Sequence, residues 1–159
     1  MMIISVSGKS LMKRSVAALA AVAVLALIIA ISSYYFNRAH TERKINGKTL
    51  GLSVRDDKDI VRIAEFFLPD EKLSAPEHTS VTVPYNFNRI YDEYNELQKA
   101  FGTDLYDYRG MVCEKYTVRA GDFYDGSTLT LLVCDGLLIG GDLSDNAFDG
   151  SVTGLSGLM

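Results

Sequence analysis

The apolar and polar positions divide this chain into one long uncharged run and a periodic remainder. From Ser15 to Phe36 the sequence reads SVAALAAVAVLALIIAISSYYF, with no charged residue. About 20 residues of helix cross a hydrocarbon core of roughly 30 Å, so this run predicts a single transmembrane helix with its backbone groups satisfied internally. Tyr34 and Tyr35 sit where an interfacial aromatic belt is expected. Lys9, Lys13 and Arg14 precede the run, and Arg38, Arg43, Lys44 and Lys48 follow it. With basic residues on both sides the positive-inside rule barely discriminates, but a short basic head, residues 1–14, before one apolar span is also the plan of a secretory signal, which favours an N-terminus inside and the remainder outside. A cleaved signal peptide is the competing reading, but the run is long for one and no convincing cleavage site follows. The KRSVAA junction also makes Met12 a second candidate start.

Residues 37–49, polar and basic, read as a linker, which leaves residues 50–159 for one small domain. Ser53 and Asp56 fit a capping box for a helix from about Asp57 to Leu68, with Ile60, Ile63, Ala64 and Phe67 as its apolar stripe and Pro69 as its end. Asp70 to His78 is polar and reads as a loop; Val81 and Val83 suggest a short strand stopped by Pro84. A second helix is predicted from about Asn88 to Ala100. Phe87, Ile90, Tyr91, Tyr94, Leu97, Gln98 and Phe101 form its stripe, and Gly102 stands at the C′ position. Two alternating runs, Met111–Val118 and Thr128–Asp135, then read as strands. Asp135-Gly136 is a two-residue hairpin turn into a return strand from Leu137 to Gly141. The predicted fold is α+β: two helices on a small antiparallel meander.

Register follows from segregation of the faces. Pairing Arg119 with Thr128 sets Val118, Tyr116 and Glu114 opposite Leu129, Leu131 and Val133, and Cys113 opposite Cys134 on the reverse face. The turn then sets Leu138 beside Val133 and Ile139 beside Leu132. Leu132, Leu137 and Ile139, with both cysteines, thus form an apolar reverse face that is either covered by another part of the chain, the C-terminal tail being one candidate, or left as an interaction surface. Directly opposed residues of antiparallel strands lie within disulfide reach, so Cys113–Cys134 is a candidate disulfide; two free thiols in an apolar layer are the alternative.

Charge sharpens the division. Residues 1–44 carry six Lys/Arg and one Glu, net +5, while residues 45–159 carry ten Lys/Arg and nineteen Asp/Glu, net −9. An acidic domain argues against nucleic acid as a partner, because that affinity rests on phosphate neutralisation. No Cys/His cluster has ligand spacing, so no metal and no cofactor site is expected. Ser7-Gly8-Lys9-Ser10 looks like the end of a phosphate loop, but Ile3 stands where the pattern requires its first glycine. Asp142, Asp145 and Asp149 lack the spacing of a calcium loop and read as an acidic turn. Gln98 and Asn95 are more informative. An amide on an apolar stripe is costly unless bonded, either to backbone or to a ligand. Tyr94, Asn95, Gln98 and Asp142 are therefore the candidate binding residues, beside tyrosines that either line a groove or edge the core.

The strings VTVPYNFNRIYDEYNELQKAFGTDLYDYRG, CEKYTV and LLVCDGLLIGGDLSDNAFDG resemble domain-of-unknown-function family number 4830. The resemblance covers about Ile60 to Gly150. It rests on Val83-Pro84, Tyr94-Asn95, Leu97-Gln98, Gly102, Leu105, Tyr108 with Gly110, Gly140-Gly141-Asp142 and Asp149-Gly150. It implies a short protein of Gram-positive type with one N-terminal anchor, and no activity. Where members carry Gly-Trp after the first helix, this chain has Leu68-Pro69 and no tryptophan.

The reading is a membrane-anchored, extracytoplasmic binding or interaction module, held in the membrane by Ser15–Phe36, with an unknown protein or small ligand as partner. Two alternatives stay open. One is a small extracytoplasmic enzyme using Asp, Glu or Tyr in a pocket; the other is a tethered regulator facing the cytoplasm.

Overall fold

The computed structural model describes residues 22–33, 41–121, 126–145 and 150–158. Two units are distinct, Met1–His40 and Thr41–Met159. In the first, residues 22–33 are helical (α1) and exposed throughout. No helix among the described residues is long and apolar enough to cross a membrane. Of the run Ser15–Phe36, residues 15–21 and 34–36 lie outside the described residues.

The second unit is α+β. A two-stranded hairpin, β1 (Glu42–Ile45) and β2 (Lys48–Gly51), precedes a five-stranded antiparallel sheet. That sheet contains β3 (Glu77–Thr82), β4 (Val112–Ala120), β5 (Ser127–Cys134), β6 (Leu137–Asp145) and β7 (Val152–Gly154), side by side in chain order. Helix α2 (Asp57–Phe67) precedes β3, and α3 (Arg89–Phe101) separates β3 from β4.

The domain therefore starts earlier than the linker reading of residues 37–49 allowed. Asn46 and Gly47 have φ of 48° and 77°. Positive φ at both central residues is what a tight two-residue hairpin turn requires, and Asn-Gly is its commonest sequence. Ile45 and Leu50 of this hairpin are buried in the main core. Arg43 ties it to α3: its Nη1 donates to the Phe101 carbonyl, its Nη2 to that of Gly102 at 3.3 Å, and its guanidinium sits 4.2 Å from the centre of the Phe101 ring. A cation at a helix C-terminus meets the negative end of the helix dipole. The chain then joins the tip of the β5–β6 hairpin, through Val54 N–H to the Gly136 carbonyl (2.8 Å) and Leu138 N–H to the Leu52 carbonyl (2.8 Å).

Both helices begin and end where local chemistry dictates. Asp56, not Ser53, caps α2, its carboxylate accepting the N–H groups of Lys58 and Asp59. Ser53 instead makes an isolated antiparallel bridge to Leu137, the first residue of β6. Asn88 caps α3 through the Tyr91 N–H, and Gly102 closes it in the left-handed region at φ 95°. Strand β3 extends back through His78 and Glu77, residues of the expected loop, because they pair with Tyr116 and Thr117.

Each face of the sheet is buried differently. Val118, Leu129, Leu131, Val133 and Leu138 pack with Ile60, Ile63, Ala64 and Phe67 of α2 and with the β1–β2 hairpin. The reverse face holds Cys113, Leu132, Cys134 and Ile139, packed with Val83, Leu105, Phe87 and Tyr94. It is thus covered by α3 and the segments flanking it rather than by the tail. The tail turns to the main core instead, where Leu155 is fully buried and Leu158 packs beside it. Leu137 also packs against that main core, not on the reverse face.

The β4–β5 register is the one expected, from Glu114↔Val133 to Arg119↔Thr128. Cys113 and Cys134 form a disulfide with Cα atoms 4.4 Å apart and a sequence separation of 21. The β5–β6 register is expected for Val133↔Leu138 and then shifts: Leu132 faces Gly140, with a bulge between Leu132 and Val133. Ile139 is the extra residue, so it does not stand beside Leu132.

A loop of this length predicts that the disulfide contributes about 3 kcal/mol by restricting the unfolded chain. The double variant Cys113→Ala/Cys134→Ala should melt lower by on the order of 10 °C in calorimetry. A variant as stable as the parent would contradict this.

Candidate functional site

The bulge decides where Asp142 points. Without it, the Val133↔Leu138 register would run on to place Asp142 opposite Leu129, inside the main core. With it, Asp142 pairs with Thr130 and lies on the reverse face. Bulges commonly re-aim a side chain in this way. There Asp142 is 8% exposed, and its Oδ1 accepts a hydrogen bond from the Tyr94 hydroxyl at 2.9 Å.

Asp142 and Tyr94 form part of a cavity of about 390 Å³ between the sheet and α3. Its floor is Lys115, Thr130, Leu132 and Asp142 from β4, β5 and β6; its walls are Tyr91, Tyr94 and Leu105; its rim is Val81 to Pro84. Ligand sites are typically concave, mostly apolar and supplied with a few placed polar groups, in a size range of roughly 300–1,000 Å³. Burial pushes the Asp142 carboxyl above the usual carboxylate range, while the Tyr94 hydrogen bond and the charge of Lys115 pull it back. Burial and the neighbouring Asp142 push the Tyr94 hydroxyl upward, so it remains protonated and able to donate.

The other two candidate residues are committed to the fold. Gly141 N–H donates to Gln98 Oε1 at 2.8 Å, and Gln98 Nε2 donates to the Gly141 carbonyl at 3.3 Å. Asn95 Oδ1 accepts the Leu105 N–H at 2.7 Å, and its Nδ2 donates to Asp104 Oδ1 at 2.9 Å. Both side chains are fully buried, so the amides fasten α3 to β6 and to the 3-10 turn Leu105–Tyr108 rather than face a ligand. Glycine permits this approach. A Cβ on Gly140 would stand 2.2 Å from Gln98 Oε1, and one on Gly141 would stand 2.2 Å from the Thr130 carbonyl oxygen.

Of the expected interaction face, Leu132 lines the cavity, Ile139 is 1% exposed in the same apolar cluster, and Leu137 belongs to the opposite layer. Ile90, on the expected apolar stripe of α3, is 71% exposed, and the neighbouring Tyr91 is 42% exposed. Lys115, Thr130, Val83 and Leu105 carry no signal of a binding role in the sequence, where Val83 and Leu105 stand only for a strand and the family resemblance. The pairing rule that located the cysteines also places Lys115 and Thr130 on their face, where polar residues interrupt an apolar surface. The bulge was needed to bring Asp142 beside them.

A second polar group lies at the β3 edge. Ser80 Oγ donates to Glu114 Oε1 at 2.7 Å, and His78 Nδ1 meets Glu114 Oε2 at 3.2 Å. Glu114 stands between serine and histidine, so this is not the serine–histidine contact that activates a nucleophile. Among the described residues no group of three or more His, Cys, Asp or Glu could hold a metal ion. Asp149 lies outside the described residues, and Asp142 is turned toward Tyr94. No family model, no curated protein and no solved structure matches the chain.

Two outcomes follow from this geometry. Gly140→Ala forces the Gln98 amide off the Gly141 backbone and should cost about 1–3 kcal/mol in chemical denaturation. An unchanged midpoint would show that Gln98 does not seat α3. Asp142 gives a pH signature. Its folded pKa is raised, so the folded state binds its proton more tightly than the unfolded chain does. Stability from this group is full below the unfolded pKa of about 3.9 and is lost as pH rises through the folded value. The melting temperature of Asp142→Asn minus that of the parent should therefore grow from about pH 4 to about pH 7. A constant or shrinking difference would contradict a buried, destabilised carboxylate.

Proposed function

We propose that this is a single-pass membrane protein whose domain lies outside the cytoplasmic membrane and binds a small amphipathic ligand beneath α3. The binding reading is carried by the cavity, where a buried carboxylate held by a tyrosine meets apolar and aromatic walls. The anchoring reading is supported by Ser15–Phe36 and by α1, whose Leu25, Leu27, Ile28 and Ile29 are each more than half exposed. Lipid is the medium in which such a surface costs nothing. The disulfide supports an oxidising compartment, and a short basic head before one apolar span, the plan of a secretory signal, supports an inside N-terminus. Both disfavour a regulator facing the cytoplasm. Membership of domain-of-unknown-function family number 4830 is part of the same proposal. Several residues that carry the resemblance, Tyr94-Asn95, Leu97-Gln98 and Gly140-Gly141-Asp142, are those that here seat α3 and shape the cavity.

One observation favours an enzyme as the second reading. A carboxyl raised by burial beside a protonated tyrosine in a cleft is a general-acid arrangement. It would require turnover to be lost in Asp142→Asn while binding persists.

Binding is tested with the full chain in nanodiscs, screened against small apolar and amphipathic fragments by amide chemical shifts. Fragments should move Tyr94, Thr130 and Leu132, and Leu132→Trp, which fills the floor, should abolish the effect. An absence of shifts there, or equal binding by the variant, would contradict the proposal. Location is tested by adding protease to intact protoplasts: the domain should be digested from outside, and full protection until lysis would reverse the orientation.

A further inference from the structure

We propose that the ligand of this cavity carries a protonated amine, seated on Asp142 between the rings of Tyr91 and Tyr94 with its hydrocarbon body against Val83, Leu105 and Leu132. The inference rests on the binding reading above and names its ligand class. Asp142 is 8% exposed, and among the described residues its hydrogen-bond partner is the Tyr94 hydroxyl, which occupies Oδ1. Its second oxygen is the one left to meet a ligand. The Lys115 charge that acts on this carboxylate sits on an exposed side chain, and an incoming cation supplies a counter-charge inside the cavity, where water cannot. Hydrogen bonds between ammonium and carboxylate are roughly twice as strong as neutral ones.

The surroundings fit the same class. Tyr91 and Tyr94 both line the cavity, and aromatic faces attract an ammonium group. The apolar walls suit a short hydrocarbon body rather than a polyhydroxylated one. An anionic ligand would have to approach Asp142 and enter a domain whose residues 45–159 carry net −9, so the local and the long-range fields both oppose it. Among the described residues Lys115 is the one cation lining the cavity, and its side chain is exposed while its charge acts on Asp142. It is a resident competitor for the carboxylate, so its removal should favour a ligand amine. A cavity built for a carboxylate ligand would lose affinity on the same change.

The test uses the full chain in nanodiscs and three probes with one aromatic body: phenethylamine, 2-phenylethanol and phenylacetate. Affinities are read from the amide shifts of Thr130 and Leu132. The amine should bind about tenfold tighter than the alcohol, and phenylacetate should bind weakest. Asp142→Asn should erase the preference for the amine and keep binding of the alcohol. Lys115→Ala, at an exposed position that leaves the fold intact, should strengthen amine binding. If the alcohol or phenylacetate binds as well as the amine, or if Lys115→Ala weakens the amine, the amine class is overturned while the cavity remains a binding site. If none of the three probes moves Thr130 or Leu132, the cavity reading falls and the amine class with it.

Discussion

The domain turns on one exchange of hydrogen bonds, between the Gln98 carboxamide and the backbone of Gly141. Strand β7 pairs Gly154, Thr153 and Val152 with Asp142, Leu143 and Ser144, and then the chain leaves the sheet in the 3-10 turn Leu155–Leu158. Gly141 is the next residue along β6, and Gln98 meets its N–H and its carbonyl in place of a strand neighbour. An amide has the donor and acceptor of a peptide group, so it can continue the ladder from a helix. Buried backbone groups must be paired, which makes this contact a requirement for closing the β6 edge. It also sets the height and rotation of α3, and hence the position of Tyr94 one turn earlier.

The bulge between Leu132 and Val133 supplies the complementary half. It shifts Asp142 from the layer of Leu129 to the layer of Thr130, and Gly140 follows the extra residue at the point where Gln98 approaches. Helix and strand are thus brought to the same spot by two independent local features. The disulfide between Cys113 and Cys134 lies on that reverse face, in the cluster with Leu132 and Ile139. The cavity is what remains where α3 covers β6 but leaves part of β4 and β5 open.

Much of this was legible in the residues. The stripe of Ile60, Ile63, Ala64 and Phe67 predicts the buried face of α2. Face segregation predicts the β4–β5 register, and the register places the cysteines together. Gly102 announces the end of α3. What was missed has physical causes. A bulge inserts one residue without any local composition that demands it, so extending the Asp135-Gly136 hairpin by simple pairing misplaces Ile139 and Asp142. Asn46-Gly47 was a readable turn, but the charges around it, Lys44 and Lys48 among them, concealed two short strands. Gln98 and Asn95 stood out because amides on an apolar stripe need partners. The sequence alone left open that the partners are backbone groups from residues distant in the chain.

The account is tested most directly at the Gly141 amide, by native-state hydrogen exchange. Because that N–H donates to a fully buried Gln98, it should exchange as slowly as the amide of Leu131 in the neighbouring strand, through opening of the whole domain. If Gly141 instead exchanges as fast as the exposed amides of the β3 edge, α3 is not seated on β6 by this contact, and the placement of Tyr94 over Asp142 loses its cause.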